Sequence, residues 1–431
     1  PAPVIVALHL TTFFLASMVC HGRLANDRPS TEYLTEFFLW LSVGGVLGGL
    51  FNGLIAPALF DRLAEYPLVL VLAALARPSA KDDDGKLASD YVAPAIVGIV
   101  TALLILGVQQ VHLDAGGTVF MLLLAIPVFF NYSRLDRPRR FALGIGAFLL
   151  AGTLYVGDVG HPLHRERNFF GEIRVTRDRT KSFTQIVHGD TVHGRQSVDP
   201  AERREPLAYY HRTGPLGQIF AAFDGVRAAN NKVAVVGLGA GAMAPYAKPG
   251  EPWTFYEINP EVARVAQNTE YFTFLHDAFP DPALMRIELG DARLRLGEAV
   301  DHSFGLIALD AFSSDSIPVH LLTREALRLY ASKLAPDGLL AFHISNRYLD
   351  LKPELAELAH DAGLSVRGRD DLDVPPELLA KGKVPSQWVA MARSDAQLST
   401  LTAAGWVSLQ RRPSSAVWTD DFSNVLRAFI F

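Results

Sequence analysis

The second half of the sequence combines glycines and acids with short apolar runs in a pattern that suits ligand binding. Residues 233–236 are apolar and lead into three closely spaced glycines. These are Gly237, Gly239 and Gly241. Such glycines permit a tight turn and let backbone N–H groups approach a ligand closely. Glu257 follows the next apolar run, residues 253–256, and an acid at that point can accept hydrogen bonds from ribose hydroxyls. The pattern predicts a site for a nucleoside-bearing ligand.

Two further acids end later segments of the predicted sheet. Asp291 follows the segment around Leu289, where it can receive an adenine amino group, and Asp310 follows the apolar residues 304–309. Because parallel strands end at one edge of a sheet, we expect both acids to lie beside Glu257. The glycine spacing is G-x-G-x-G and no basic residue follows at once, which does not fit a dinucleotide fingerprint.

These motifs resemble the spermidine synthase (aminopropyltransferase) family. More closely, they resemble its bacterial branch, in which that domain is fused to membrane helices. The motifs of the α/β half are Gly237-Leu-Gly-Ala-Gly241, Tyr256-Glu-Ile-Asn-Pro260, Gly290-Asp-Ala292 and Leu309-Asp-Ala-Phe-Ser-Ser-Asp-Ser-Ile-Pro318. In the membrane half, Cys20-His-Gly22 and Leu34-Thr-Glu-Phe-Phe38 look typical of the branch.

The resemblance implies a doubly wound, Rossmann-like sheet of the AdoMet-methyltransferase type, preceded by a small antiparallel β unit. It implies aminopropyl transfer from decarboxylated S-adenosylmethionine, a co-substrate, to a diamine such as putrescine. Asp310 takes the place of the catalytic acid and Asp315 that of the second acid, which anchors the amine. Tyr210 and His211 fall where the family contacts substrate. No metal is implied.

Several departures from the family pattern keep other functions open. Arg212 replaces a glutamate after His211, and the inserted Ala311-Phe312 displaces Asp315. A non-catalytic structural subunit of a membrane complex would tolerate both changes. An AdoMet-dependent methyltransferase would share the glycines, Glu257 and Asp291.

The small β unit is predicted from alternating segments before the core. Residues 169–177, 183–187 and 191–196 are rich in Ile, Val, Phe and Thr, with a turn at His188-Gly-Asp190. His188 and His193 have no nearby cysteine or carboxylate cluster in the sequence, so we expect no metal there.

The first 158 residues differ in composition from the rest. Apolar segments at 3–19, 37–60, 91–111, 118–130 and 141–156 approach the ~20 residues needed to cross a bilayer, and 66–76 is shorter. We therefore predict a transmembrane domain of five or six spans at 1–158. A β-hairpin domain at 159–215 and a Rossmann-like domain at 216–431 follow. Pro1 lies inside an apolar segment, which indicates a processed or incomplete N-terminus and not a signal peptide.

Charge and location complete the prediction. A net charge of −5 argues against nucleic acid as a partner, and one cysteine, Cys20, excludes an internal disulfide. The expected partners are a small amine, the lipid bilayer, and either a second copy or a larger membrane complex.

Two groups of arginines, at 134–140 and at 165–179, each favour a cytoplasmic position, but they would lie on opposite sides of the membrane if 141–156 spans it. Since the nucleoside substrate of the family is made in the cytosol, we predict a bacterial inner-membrane protein with a cytoplasmic soluble domain.

The C-terminal segment carries adjacent acids, Asp420 and Asp421. They could reach the mouth of the site, but we expect them to cap a last helix at 424–429.

Overall fold

The computed structural model describes residues 2–430, except 79–86, 112–117, 134, 158, 190, 228, 313–316, 347 and 413–415. Asp315 therefore lies outside the described residues. Contacts divide the chain into two compact units. One is Pro1–Gly157 with Arg167–Phe169, and the other is Asp158–Glu166 with Phe170–Phe431. The division into three domains predicted from the sequence stays a prediction.

The first unit is helical. Its helices are α1 (Ala2–Asn26), α2 (Leu34–Leu50), α3 (Ala56–Leu59), α4 (Glu65–Leu75), α5 (Leu87–Gln110), α6 (Thr118–Tyr132) and α7 (Pro138–Gly152). A π-helical turn, Phe51–Ile55, joins α2 to α3 without a break. By length and composition, three stretches of helix can cross a membrane: Val4–Asn26, Thr31–Leu59 and Asp90–Gln110. Among the described helices, α4, α6 and α7 have 11, 15 and 15 residues, which is short of the ~20 residues of an upright span.

Close packing within this unit centres on α7. A Cβ added to Gly98 of α5 would lie 3.2 Å from the Cβ of Ala147, so the two helices approach closely there. Asp90, at the start of α5, is buried and paired with Arg140 of α7, with 2.8 Å between Oδ1 and Nε. A buried charge is tolerated when it is paired in this way.

The second unit begins with a small antiparallel sheet. Its strands are β1 (His161–Asn168), β2 (Gly171–Arg177), β3 (Phe183–His188) and β4 (Thr191–Ser197), in that spatial order. The β unit predicted from the alternating segments is present, with its hairpin at His188. The first strand was not predicted, because five of its eight residues are charged or histidine and no apolar alternation marks it.

The larger sheet follows, with mixed strand directions. Its strands are β5 (Val233–Val236), β6 (Trp253–Glu257), β7 (Met285–Leu289), β8 (Phe304–Leu309), β9 (Leu334–His343), β10 (Ser365–Asp371), β11 (Ser386–Ala392) and β12 (Val407–Ser408). Their spatial order is β12-β10-β11-β9-β8-β5-β6-β7. Strands β7, β6, β5, β8 and β9 pair in parallel, and β11 inserts antiparallel between β9 and β10. This confirms the predicted doubly wound, methyltransferase-type sheet.

Helices cover both faces of this sheet. They are α8 (Pro215–Phe223), α9 (Pro260–Gln267), α10 (Phe274–Ala278), α11 (Ala292–Gly297), α12 (Arg324–Lys333), α13 (Lys352–Asp361), α14 (Pro376–Ala380) and α15 (Ser399–Ala403). Successive residues of β5 point to opposite faces, so Val233 and Val235 enter one apolar core while Ala234 and Val236 enter the other. Strand β5 pairs with β6 on one side and β8 on the other, and the chain order reverses here. Such a reversal opens a crevice at the carboxyl ends of the strands.

One strand is irregular and one predicted element is wrong. Residues 335–338 belong to β9, whose register slips so that Phe304 pairs with Leu334 and Leu306 with Leu339. The predicted last helix is a short 3₁₀ turn, Val425–Ala428, without a side-chain cap.

Candidate active site

A cavity of about 250 Å³ opens at the carboxyl ends of β5, β6 and β8. Its wall combines the larger sheet with the small one: Phe170, Ile173, Ile186 and His188 come from β2, β3 and the turn before β2. The predicted residues on the wall are Tyr210, Gly237, Gly239, Glu257, Asp291 and Asp310. The structure therefore brings most of the predicted site residues together in one cavity.

The glycine loop lies against two neighbouring backbones. Gly237 and Gly239 have φ of +99° and +53°, in the region that favours glycine. A Cβ on Gly237 would run into the carbonyl of Asp310, and one on Gly239 into the carbonyl of His193. Gly241 is not on the cavity wall, and its Cβ would lie 3.0 Å from Leu275 of α10, so this glycine serves packing of the loop.

Glu257 holds the glycine loop from below. One carboxylate oxygen accepts the Leu238 N–H at 3.0 Å and the other accepts the Asn259 N–H at 2.8 Å. The residue is only 7% exposed, and this burial raises the pKa of its carboxyl group, against the opposing effect of the backbone hydrogen bonds. Glu257 also lines the cavity, and its predicted contact with a ribose stays a prediction.

Asp291 has a structural task as well as a place on the wall. Its Oδ1 accepts the Leu294 N–H at 3.0 Å and caps α11. Its Oδ2 lies 3.2 Å from Nε2 of His320, which lines the same cavity. The predicted contact with an adenine amino group stays a prediction.

Asp310 follows β8 and is held by two side chains. The Tyr210 hydroxyl donates to Oδ2 at 2.7 Å, and His343 Nδ1 lies 2.6 Å from Oδ1. Burial, and then the Asp310 charge, raise the pKa of Tyr210 well above its ordinary value, so Tyr210 stays a hydrogen-bond donor. The result is a partly buried carboxylate, its side chain 9% exposed, with a fixed orientation beside the glycine loop.

His343 is the residue of this network that the sequence did not reveal. It ends β9, in which Phe342 pairs with Leu309, so His343 lies across from Asp310. Its ring stacks on Trp388 of β11, with 4.7 Å between centroids and 17° between planes. The available signal was a polar residue at the end of the apolar run 339–342, on the strand next to β8.

Two predicted substrate contacts are placed differently or not described. His211 is buried, but it does not line the cavity, and its Nδ1 lies 2.9 Å from the Thr213 hydroxyl. Arg212, which replaces the family's glutamate, pairs with Glu205 at 3.1 Å. Asp315 lies outside the described residues.

Histidines and acids lie close together at two places. His188 and His193 face each other across 5.9 Å, and burial lowers the pKa of His193 to about 4, so its ring is uncharged near neutral pH. Elsewhere in this unit, His164, Glu166 and Glu261 offer three ligand atoms within 4.8 Å of one another. Arg264 pairs with both glutamates and supplies the positive charge that the acids require.

Comparisons with known proteins bear on the family. No family model matches the sequence. A polyamine aminopropyltransferase from Vibrio vulnificus is 27% identical over 186 residues, which make up 41% of this chain and 57% of that protein. The match thus spans little more than half of the relative's length. A probable spermidine synthase from Corynebacterium glutamicum has a TM-score of 0.43 and 19% identity, over 61% of this chain and 97% of that chain. A spermidine synthase from Thermotoga maritima has a TM-score of 0.39 and 14% identity, over 63% of this chain and 84% of that chain.

The resemblance to the spermidine synthase family inferred from the motifs is confirmed by this sequence match, which makes 186 residues of the chain similar to a polyamine aminopropyltransferase.

Proposed function

We propose that the α/β half transfers an aminopropyl group from decarboxylated S-adenosylmethionine to a diamine such as putrescine. The observation that carries this proposal is the position of Asp310. It is a partly buried carboxylate in the same cavity as the glycine loop, and its backbone lies so close to Gly237 that a Cβ there would collide with it. We further propose that the N-terminal helices anchor the protein in the bacterial inner membrane, with the α/β half in the cytoplasm. This second proposal is supported by three stretches of helix that are long and apolar enough to cross a membrane.

The chemistry needs a base and a fixed nucleophile. The bound sulfonium supplies a methylene that is activated for displacement. A primary amine attacks it, a C–N bond forms, the C–S bond breaks, and the thioether leaves with the electron pair. The amine arrives as an ammonium ion and must first lose a proton, which the carboxylate of Asp310 accepts.

The other residues of the cavity have binding roles in this proposal. Glu257 accepts hydrogen bonds from the ribose and Asp291 receives the adenine amino group. Tyr210 holds Asp310 and lines the path of the amine. For Asp315, we propose that the carboxylate anchors the amine.

The test measures methylthioadenosine release from decarboxylated S-adenosylmethionine with a panel of amines. Asp310→Asn should lower kcat by about 10²–10⁴-fold, as expected when a general base is lost, while methylthioadenosine still binds. Asp315→Asn should chiefly raise KM for the amine. Asp337→Asn, on the exposed bulge of β9, is the matched control and should leave both constants unchanged.

A non-catalytic subunit is the second candidate. Both oxygens of Asp310 already have partners within the chain, and His211 does not line the cavity. If the wild-type protein releases no methylthioadenosine with any amine, the enzyme proposal fails and the structural role takes its place. Incubation with S-adenosylmethionine that carries a tritiated methyl group, followed by counting of the label on the acceptor, tests the methyltransferase alternative.

A further inference from the structure

A chain of hydrogen bonds leads from a backbone amide to Asp310. The Gln387 N–H donates to Ser345 Oγ at 2.8 Å, and Ser345 Oγ lies 2.7 Å from His343 Nε2. On the other side of the ring, His343 Nδ1 lies 2.6 Å from Asp310 Oδ1. Since a backbone N–H can only donate and an ionised carboxylate can only accept, the roles at the two ends of the chain are set.

The position of the imidazole proton follows from these contacts. If Nε2 carried the proton of a neutral ring, the lone pair of Nδ1 would face a carboxylate oxygen at 2.6 Å, which is repulsive. With the proton on Nδ1, every contact joins a donor to an acceptor. Ser345 then accepts from Gln387 and donates its hydroxyl hydrogen to Nε2, and His343 donates to Asp310.

The surroundings keep the ring in this orientation. His343 is 2% exposed, and it pairs across the sheet with Trp388, on which it stacks. Phe312 packs edge-on at 4.9 Å between centroids. A ring flip would exchange Nδ1 for carbon opposite Asp310 and break two hydrogen bonds in a buried place, where unmade hydrogen bonds are costly.

Other titratable groups act on Asp310 from three elements. Tyr210 precedes α8 and donates to Oδ2. His193 on β4 and Glu257 on β6 interact with Asp310 electrostatically. His193 is uncharged near neutral pH, so it supplies no counter-charge. The hydrogen bonds from Tyr210 and His343 are therefore what stabilises the Asp310 anion among the described residues.

We propose that His343 is a positioning residue, whose Nδ1–H holds the Asp310 carboxylate in one orientation while the Ser345 hydroxyl holds the other ring nitrogen. The role in transfer rests on the proposed function. In the proposed step Asp310 takes the proton from the ammonium ion, and His343 keeps its own proton throughout.

The kinetic test compares three variants. His343→Phe fills the space without a donor and should lower kcat by about 10–100-fold, the range expected for a hydrogen bond to a charged group, with KM for the amine unchanged. The rate–pH profile of His343→Phe should differ from that of the wild type, which a simple folding defect would not cause. His343→Gln restores an N–H donor and should stay within about fivefold of the wild type. His360→Gln, exposed on α13, is the control and should behave as wild type.

The second test does not depend on turnover. ¹⁵N NMR of histidine-labelled protein, with His343→Gln to assign the signal, reads the protonation of each ring nitrogen. We expect a neutral ring with Nδ1–H in the wild type, and in Ser345→Ala the same tautomer with a shifted Nε2 signal, because the hydrogen bond from the hydroxyl to Nε2 is lost.

Two results would overturn the inference. One is a wild-type ring with Nε2–H or with both nitrogens protonated. The other is an active wild type whose His343→Phe variant keeps its kcat and pH profile. If the wild type is inactive with every amine, the proposed function fails, and the NMR result alone decides the assignment of His343.

Discussion

At the residue scale, Glu257 combines burial with a predicted ligand contact, and this gives a pH dependence. Burial raises the pKa of its carboxyl group, so the folded protein binds this proton more tightly than an unfolded chain does. A ribose needs the ionised form as acceptor, so protonation competes with binding. Methylthioadenosine affinity, measured by calorimetry, should fall across the window below neutral pH in which this carboxyl group takes up its proton. Glu257→Ala should weaken binding by about 1–3 kcal/mol at pH 7.5 and lose most of this pH dependence.

Other groups on the wall serve as controls for this measurement. His193, with a pKa of about 4, stays uncharged across the window. His320 Nε2 lies 3.2 Å from Asp291 Oδ2. The single variant His320→Gln therefore shows whether this ring contributes to the pH dependence of binding. Calorimetric binding that is unchanged in Glu257→Ala would remove the nucleoside from this site.

The acids of the site could be predicted because each directly follows an apolar strand. That local pattern places Glu257 and Asp310 at one sheet edge whatever the rest of the chain does. His343 could not be predicted as a member of the site. Its contact with Asp310 depends on the register between β8 and β9, and an irregularity at 334–339 shifts that register. His211 shows the reverse case. A motif match does not say which way a side chain turns, and this one faces Thr213.

At the element scale, the glycine loop and β4 are joined through a backbone contact. The Ala240 N–H donates to the His193 carbonyl at 3.3 Å, and a Cβ on Gly239 would collide with that carbonyl. Gly239→Ala should therefore separate β4 from the loop and abolish methylthioadenosine binding. Gly189→Ala is the matched control, because Gly189 also has positive φ, +60°, but no atom lies within 4 Å of the added Cβ.

The pair of alanine variants distinguishes contact from backbone strain. Gly189→Ala should cost about 1 kcal/mol in the free energy of unfolding, from the left-handed conformation alone, and keep ligand binding. Gly239→Ala should cost clearly more in the same denaturation series. Equal losses in stability and equal binding would mean that the contact between loop and β4 contributes nothing.

The C-terminal segment offers a second comparison between neighbours. Asp420 binds Arg293 through two hydrogen bonds of 2.6 Å and accepts one from Thr323, instead of capping a helix as predicted. Asp420→Asn should lower the free energy of unfolding by about 1 kcal/mol, because the ion pair is partly exposed. Asp421→Asn, exposed on the same segment, should change it little.

The pH dependence of that difference has a defined sign. The hydrogen bond from Arg293 lowers the pKa of Asp420 below its ordinary value of 3.8. Its contribution to stability is then present above that value and lost as the pH falls through the folded-state pKa. The difference in the free energy of unfolding between Asp420→Asn and Asp421→Asn should therefore disappear in acid. A gap that persists there would assign the effect to packing and not to charge.

Elements with strong apolar patterns were predictable, and those held by charge were not. The runs at 233–236 and 304–309 are buried on both faces and announce β5 and β8. Strand β1 is polar and depends on its pairing partner, so its own residues give no signal. The paired acids at 420 and 421 suggested a cap, but their partner Arg293 lies 127 residues away in the chain.

At the scale of the whole molecule, composition predicted a helical half and an α/β half, because apolar segments cluster before residue 158. Hydropathy does not give the length of each helix, and length decides which segments can cross a bilayer. The predicted span at 141–156 corresponds to α7, Pro138–Gly152. Its 15 residues rise about 22 Å, less than the ~30 Å of a hydrocarbon core.

The membrane topology around α7 is therefore open to a direct test. The sequence alone placed the arginines before α7 and the soluble half on opposite sides, because it took 141–156 as a span. If α7 does not cross, both lie on one side, and both arginine-rich regions satisfy the positive-inside rule together. We expect the cytoplasmic side for both.

Cysteine labelling measures this in sealed vesicles of either orientation. Cys20→Ser removes the single native thiol, and Arg139→Cys and Asp337→Cys then each place one thiol at an exposed position. An impermeant maleimide should label both variants in inverted vesicles and neither in intact cells. Labelling from opposite sides would show that α7 completes a crossing in spite of its length, and the arginines before it would then lie outside, against the charge rule. The length of one helix and the distribution of arginines thus make the same prediction, and one experiment tests both.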